Sequence, residues 1–300
     1  GEEIIPELLN TLKENLPKEK MLEKIVKIDG IYVPKFNNPV KKATVKLKDV
    51  IYTPILSTNS YFENTFIIEI SRGCSNCCKF CTASYTNLPF RYYNFEDIIK
   101  TIDFGLQHTG KIALLGAQLS AHPQFDKIIE YIDKLLDNGK LKEFSLSSLR
   151  ADTISDKLIQ TLVKAGQKTS TIAIEAASDR LRDFIHKNLT EEQIFRTVDI
   201  CQKNGLSGLK IYSMIGLPTE TEDDIKEFIV LAKKLKAKYK GFNFTFSFST
   251  FVPKPRTPFQ NEIREDTSSL EKKQKFISKE LQKLGVNTKF SSAKWDFIET

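Results

Sequence analysis

Four of the five cysteines fall within one eight-residue stretch, Cys74-Ser-Asn-Cys77-Cys78-Lys-Phe80-Cys81. Thiolates this close can converge on one soft metal centre, and Cys74, Cys78 and Cys81 form a C-x3-C-x2-C spacing. The number of ligands narrows the chemistry. A structural zinc site takes four closed ligands, and a plain electron-transfer cluster takes four cysteines. Three cysteines on a cubane cluster leave one iron open, which is the condition for chemistry at a metal. Cys77 keeps a four-ligand alternative in play, although adjacent side chains in extended backbone point apart. Cys201 falls on the Ile194, Val198, Cys201 face of a helix and reads as core. His108, His122 and His186 share no metal spacing and read as surface or loop residues.

The run Phe66-Ile-Ile-Glu-Ile70 ahead of the cysteines reads as a buried strand, which puts them on the loop that leaves it. From residue 65 onward strands and helices alternate, the signature of parallel βα units. Strands are expected over 65–71, 111–116, 143–149, 171–175, 208–215 and 241–250, with Asn94, Ser155 and a Thr190-Glu-Glu-Gln193 capping box opening helices between them. The fold class is therefore α/β, a partial (βα)6 TIM-like barrel over 65–260. Ahead of it, 1–64 reads as a helical leader (helices over 6–16 and 17–27) and a connector broken by Pro34, Pro39 and Pro54. After it, 261–300 reads as a C-terminal extension with a helix over 268–284 and an edge strand over 287–298.

In the expected strand 241–250, Phe242, Phe244, Phe246 and Phe248 alternate with Asn243, Thr245, Ser247 and Ser249. In 208–215, Leu209, Ile211 and Ile215 alternate with Lys210, Tyr212 and Met214. In 171–175, Ile172 and Ile174 flank Ala173, with Glu175 on the Ala173 face. The apolar faces should meet the outer helices, which turns the polar residues inward. A barrel interior is ordinarily packed with Val, Ile and Leu, so a polar one implies a wider lumen able to hold a ligand.

Barrel active sites sit at the carboxyl ends of the strands. Here those ends carry the cysteine loop, Gly116-Ala-Gln118, Ser147-Ser-Leu-Arg150, Glu175-Ala-Ala-Ser178-Asp-Arg180, Gly216-Leu-Pro-Thr-Glu-Thr221 and Phe251-Val-Pro-Lys-Pro-Arg-Thr-Pro-Phe259.

Arg72-Gly-Cys74-x3-Cys78-x-Phe80-Cys81 resembles the cluster loop of radical S-adenosylmethionine (SAM) enzymes. The resemblance implies a 4Fe–4S cluster on Cys74, Cys78 and Cys81, with SAM on the fourth iron and its reductive cleavage to a 5′-deoxyadenosyl radical. It places Phe80 beside the adenine. Gly116 and Ala117 stand where the family has a Gly-Gly-Glu turn, with Gln118 departing from the acid. Glu175 and Arg180 match a Glu-x-x-Ser-x-Arg pattern that meets the SAM ribose or carboxylate. Gly216, together with Val252 and Pro253, is similar to segments lying near adenine. Ser147 and Tyr212 complete the expected SAM-contact set. The loop Val252–Gln260 is similar to the cobalamin-associated branch and, less closely, to the methylthiotransferases. In that branch a cobalamin-binding domain precedes the barrel, so Gly1-Glu-Glu reads as its tail, and cobalamin would have to come from that missing domain or a partner chain. The implied partners are an unidentified substrate and an external flavodoxin- or ferredoxin-like one-electron reductant. The other readings are a cobalamin-dependent or methylthio-type transferase, a non-catalytic iron–sulfur carrier or sensor closed by Cys77, and a zinc-stabilised module.

Composition bounds these readings. The net charge of +7 is spread along the chain, and its densest run, Lys233 to Lys240, reads as a solvated helix end, so RNA binding has no support. No apolar run reaches membrane-spanning length and no signal peptide is visible. Cysteines grouped for a metal, with no disulfide framework, indicate a reducing cytoplasm.

Overall fold

The computed structural model describes residues 1–147 and 149–299. The chain divides into two compact units, Gly1–Lys48 and Asp49–Thr300. The first contains helices α1 (Ile4–Lys13) and α2 (Lys18–Ile25), followed by irregular chain. Pro17 stands as the N-cap of α2, while α1 begins two residues ahead of Pro6. Asn38 pins the irregular segment by accepting from Val33 N–H at 2.8 Å and donating to the Ile31 carbonyl at 2.9 Å.

The second unit is built on parallel strands. Strands β1 (Phe66–Glu69), β4 (Lys111–Leu115) and β5 (Glu143–Leu146) form one sheet, in the order β1-β4-β5. Strands β6 (Thr169–Glu175), β7 (Gly208–Ile215), β8 (Asn243–Thr250) and β9 (Asn287–Phe290) form another. A parallel bridge between Leu149 and Ile172, with Leu149 N–H donating to Thr171 O at 3.1 Å, joins the two. Among the described residues the result is an open barrel wall of seven parallel strands, with Tyr52 pairing antiparallel to Ile68 at the far edge. Helices α4 (Phe95–Leu106), α5 (Phe125–Asp137), α6 (Asp156–Lys164), α8 (Glu191–Lys203) and α9 (Glu222–Lys238) connect successive strands. Among the described residues no helix is long and apolar enough to cross a membrane.

The alternation in β8 places its phenylalanines against the helices. The Phe228 ring of α9 stands edge-on to Phe248 at 5.0 Å and to Phe246 at 6.4 Å. The capping box at Thr190 and Gln193 forms as expected, and Ser155 Oγ accepts from Leu158 N–H at 3.3 Å. Cys201 is fully buried, and burial pushes its thiol up to about 12.

Several elements depart from the sequence expectation. The first strand stops at Glu69, because Ser71–Arg72 (β2) leaves the sheet to pair antiparallel with Arg91–Tyr92 (β3). The expected edge strand over 287–298 is divided. Only Asn287–Phe290 is strand, and Ala293–Ile298 is a helix (α11) capped by Ser292. Helix α10 (Thr267–Lys283) packs back on α9 and returns the chain parallel to β8, so β9 is a seventh barrel strand where six repeats were counted. His122 is buried: its Nε2 lies 2.9 Å from Tyr93 O and its Nδ1 accepts from Gln124 N–H at 3.1 Å. Ser148, within the strand expected over 143–149, lies outside the described residues, as does Thr300.

Candidate functional site

The cysteine loop runs from Gly73 to Cys81 and leads into the short helix α3 (Thr82–Thr86). Gly73 has φ +87°, and a Cβ there would lie 2.4 Å from Asn87 O, so only glycine fits. Cys74 and Cys78 are buried, Cys77 and Cys81 half-buried, and all four are free thiols. Asn76 Nδ2 donates to Cys74 Sγ at 3.3 Å, and that thiol donates to Gln118 Oε1 at 3.4 Å. Burial pushes the Cys78 thiol up to about 11 against the pull of Lys187 and Arg150. Loading a metal there displaces that proton.

Cys77 has φ +52°, and its carbonyl accepts from Tyr85 Oη at 2.8 Å. Its backbone is left-handed and not the extended conformation assumed for adjacent cysteines. Among the described residues no three His, Cys, Asp or Glu side chains converge as they would on a single ion. The donor set is three soft thiols on one loop, two of them buried, with cations acting on Cys78. That set suits an anionic thiolate cluster.

Parallel strands end on one rim, and most of the expected contacts gather there. Gly116 follows β4 at a crowded point: a Cβ would lie 2.6 Å from Ser71 Oγ and 2.9 Å from Leu119 Cδ2. Its carbonyl accepts from Ser147 Oγ at 3.1 Å. Ala117 beside it is exposed. Glu175 ends β6 at a register shift with φ +67°. Its carboxylate is partnered by Lys187, whose Nζ donates to Oε1 at 2.9 Å, the lysine being buried and the glutamate partly so. Gly216, at φ +75°, follows β7, and its N–H donates to Glu220 Oε1 at 2.9 Å. Glu220 is in turn paired with Lys273 at 2.6 Å. Val252 is buried and Pro253 half-buried after β8, beside Phe251, whose N–H donates to Ile215 O at 2.8 Å.

Phe80 packs against a buried cluster of Ala176, Leu181, Ile185, Leu217, Phe251 and Phe259, drawn from the ends of β6, β7 and β8. The loop is fastened on both sides there. Lys79 N–H donates to Ile185 O at 3.0 Å, and Phe259 N–H donates to Lys79 O at 3.3 Å.

Two of the expected contacts lie elsewhere. Arg180 is half-exposed and its guanidinium is committed to the β7–α9 turn, donating to Thr219 O at 2.9 Å and to Asp224. Tyr212 sits in mid-strand rather than at the rim, with Lys210 Nζ 4.6 Å above its ring. It lines a cavity of about 550 Å³ in the barrel, along with Ile67, Ala113, Leu115, Ser147 and Phe62.

Two cations, Arg182 and Lys187, escaped the sequence reading, and a third, Arg150, was placed at a strand end without a role. Arg182, on α7 (Asp179–Phe184), is 1% exposed and donates to the carbonyls of Ala176 at 2.9 Å, Ala177 at 2.6 Å and Leu189 at 2.6 Å. Arg150 forks onto Asp152 at 3.0 and 2.9 Å and donates to Lys187 O at 3.1 Å. Lys187 has been described. A lysine or arginine in a loop reads as solvated, and no periodicity marks these as buried.

The family described as "Radical SAM superfamily" matches residues 68–232. An uncharacterized protein of Methanocaldococcus jannaschii is 33% identical over 280 residues, spanning 91% of this chain and 60% of that protein. The ribosomal protein uS12 methylthiotransferase RimO of Clostridioides difficile is 27% identical over 219 residues, 70% of this chain and 48% of that protein. The solved structure of the cobalamin-dependent S-adenosylmethionine radical enzyme OxsB shares the fold, with a TM-score of 0.60 at 19% identity over 93% of this chain and 39% of that one. The chain thus spans 60% or less of each of these proteins.

Proposed function

We propose, from the premise that the chain belongs to the radical SAM superfamily of enzymes, that its barrel holds a 4Fe–4S cluster on Cys74, Cys78 and Cys81 and binds SAM across the strand ends. One observation carries this reading: the loop bearing the three cysteines is bonded through Lys79 to both Ile185 and Phe259, on the rim formed by the strand ends that carry Gly116, Glu175, Gly216 and Val252. When bound, the cluster supplies one electron to SAM, which parts into methionine and a 5′-deoxyadenosyl radical that takes a hydrogen atom from substrate.

The chain's own residues bind and shield. Phe80, Val252 and Pro253 supply apolar surface for the adenine, with Gly216 giving close approach. Gly116 and Ala117 offer backbone groups to the methionyl end, and Ser147 fixes the Gly116 carbonyl. Glu175 supplies a carboxylate to the ribose or amino group. Arg180 acts at one remove, tying the loop after β6 to the turn after β7. The substrate occupies the cavity lined by Tyr212 and Leu115, and its binding there would cover the exposed faces of both side chains and keep water from the radical. A flavodoxin- or ferredoxin-like protein delivers the electron.

The test is anaerobic reconstitution with iron and sulfide, then dithionite and SAM, assayed for 5′-deoxyadenosine. Formation that is lost in C74A, C78A and C81A and kept in C77A supports the reading. A cluster that forms without SAM binding or product refutes it in favour of a carrier or sensor. The match to a methylthiotransferase over 70% of the chain favours, as a second reading, a transferase that also releases S-adenosylhomocysteine. The same assay separates the two by that product.

A further inference from the structure

Lys187 is held from several sides. It lies between His186 (φ +56°) and Asn188 (φ +48°) in the turn that closes α7, and its partner Glu175 has φ +67°. Histidine and asparagine take left-handed backbone more readily than most residues, so the conformational cost falls on Glu175, which keeps that backbone only where the surroundings over-determine it. Those surroundings are visible. Arg150 grips the Lys187 carbonyl at 3.1 Å, and Lys187 N–H donates to Arg182 O at 2.8 Å. The ammonium lies 2.9 Å from Glu175, with the two side chains 7% and 13% exposed. Two residues earlier, the Ile185 carbonyl holds Lys79, the neighbour of Cys78. The pair thus stands two residues along the chain from a carbonyl bonded to the cysteine loop itself.

We propose that the buried Glu175–Lys187 pair is a charge-setting device for the cluster, Lys187 being a positioning residue that raises the cluster's reduction potential and Glu175 offsetting it. Reduction adds one electron to a cluster already anionic, so a nearby fixed cation stabilises the reduced form and a fixed anion opposes it. Burial keeps both effects unscreened by salt. The pair also aims the Glu175 carboxylate at the rim. The inference rests on the cluster reading above.

The experiment is a redox titration, followed by electron paramagnetic resonance, of the anaerobically reconstituted full chain without SAM. It compares wild type, K187M, K187R, E175Q and the E175Q/K187M double variant, each first checked for iron content and melting temperature. K187M should lower the reduced-to-oxidised ratio at a fixed potential by about tenfold, a shift of about 59 mV for one electron, to more negative values. E175Q should shift the potential the opposite way, and the double variant and K187R should lie near wild type. A merely structural pair would not give shifts of opposite sign that cancel. If K187M does not load, E175Q against the double variant gives the same contrast, the double lying lower. Equal potentials across the loaded proteins overturn the proposal while leaving the cluster reading intact. A wild type that takes up no cluster overturns both.

Discussion

The backbone N–H of Lys79 donates to the carbonyl of Ile185 at 3.0 Å, fastening the cysteine loop to the end of the helix that follows β6. Lys79 Nζ also lies 4.6 Å over the Phe184 ring, so main chain and side chain hold the same contact. The loop is therefore docked at the rim instead of hanging free from β1.

Phe80 is the apolar half of that dock. Phe80→Ala should lower stability by about 2 kcal/mol, less than the roughly 3–5 kcal/mol of a fully buried phenylalanine because Phe80 is only half-buried. SAM affinity should fall in the same variant, since the ring faces the rim. Urea unfolding and equilibrium dialysis with labelled SAM read the two effects separately. Unchanged SAM binding would remove Phe80 from the adenine site.

Gly116 is crowded by one side chain that has no hydrogen-bond partner of its own, the buried Ser71 Oγ. Gly116→Ala should cost about 1–3 kcal/mol through overpacking. Ser71→Ala should be close to neutral, since it removes a buried hydroxyl that makes no bond. The double variant should recover part of the loss, although Leu119 and the Ser71 carbonyl still press on the new methyl group. Thermal melts of the three proteins check this, and additive losses would argue against the contact.

Most of the wall was legible in the sequence because its signals are periodic. The Phe242 to Phe248 alternation fixed the faces of β8, and the Thr190–Gln193 box fixed the start of α8. The cysteine spacing drew attention to a loop that the structure docks at the strand ends. The hairpin of β2 and β3 left no signal, since two residues per strand carry no period. A strand was read from residue 287, but its end and its place as a parallel neighbour of β8 were not, because Asn287–Phe290 alternates too briefly to separate from the helix after it. Lys187 and Arg182 were invisible for another reason: what buries them is a partner distant in sequence or a carbonyl, and neither shows as a pattern.

Arg182 illustrates what that hidden layer does. Its three carbonyl partners belong to the turn after β6 and the entry to α8, so one guanidinium shapes the segment that carries Glu175. Arg182→Ala would leave those carbonyls buried without donors and open a cavity, a loss of about 3–5 kcal/mol. Arg182→Lys should recover only a fraction, because an ammonium cannot span the fork. Urea denaturation gives the energies, and a loss under 1 kcal/mol for Arg182→Ala would show that water replaces the guanidinium.

Asp224 supplies a pH-dependent test of the tie between the loops after β6 and β7. Burial alone would raise its pKa, but hydrogen bonds from Arg180, Ser178 and Thr221 outweigh it and bring the carboxyl down to about 2 from 3.8. A carboxyl depressed in the folded state adds stability above its unfolded pKa, and that stability is lost as pH falls through the folded value. The contribution is about 2.5 kcal/mol at neutral pH and fades between about pH 4 and pH 2. Asp224→Asn should therefore be less stable than the parent at pH 6, with the difference narrowing steadily as both are taken toward pH 3. Arg180→Gln should lessen the slope by removing the cation that contributes most to the depression. Urea midpoints across that range measure it, and a difference independent of pH would show that Asp224 contributes by packing and not by charge.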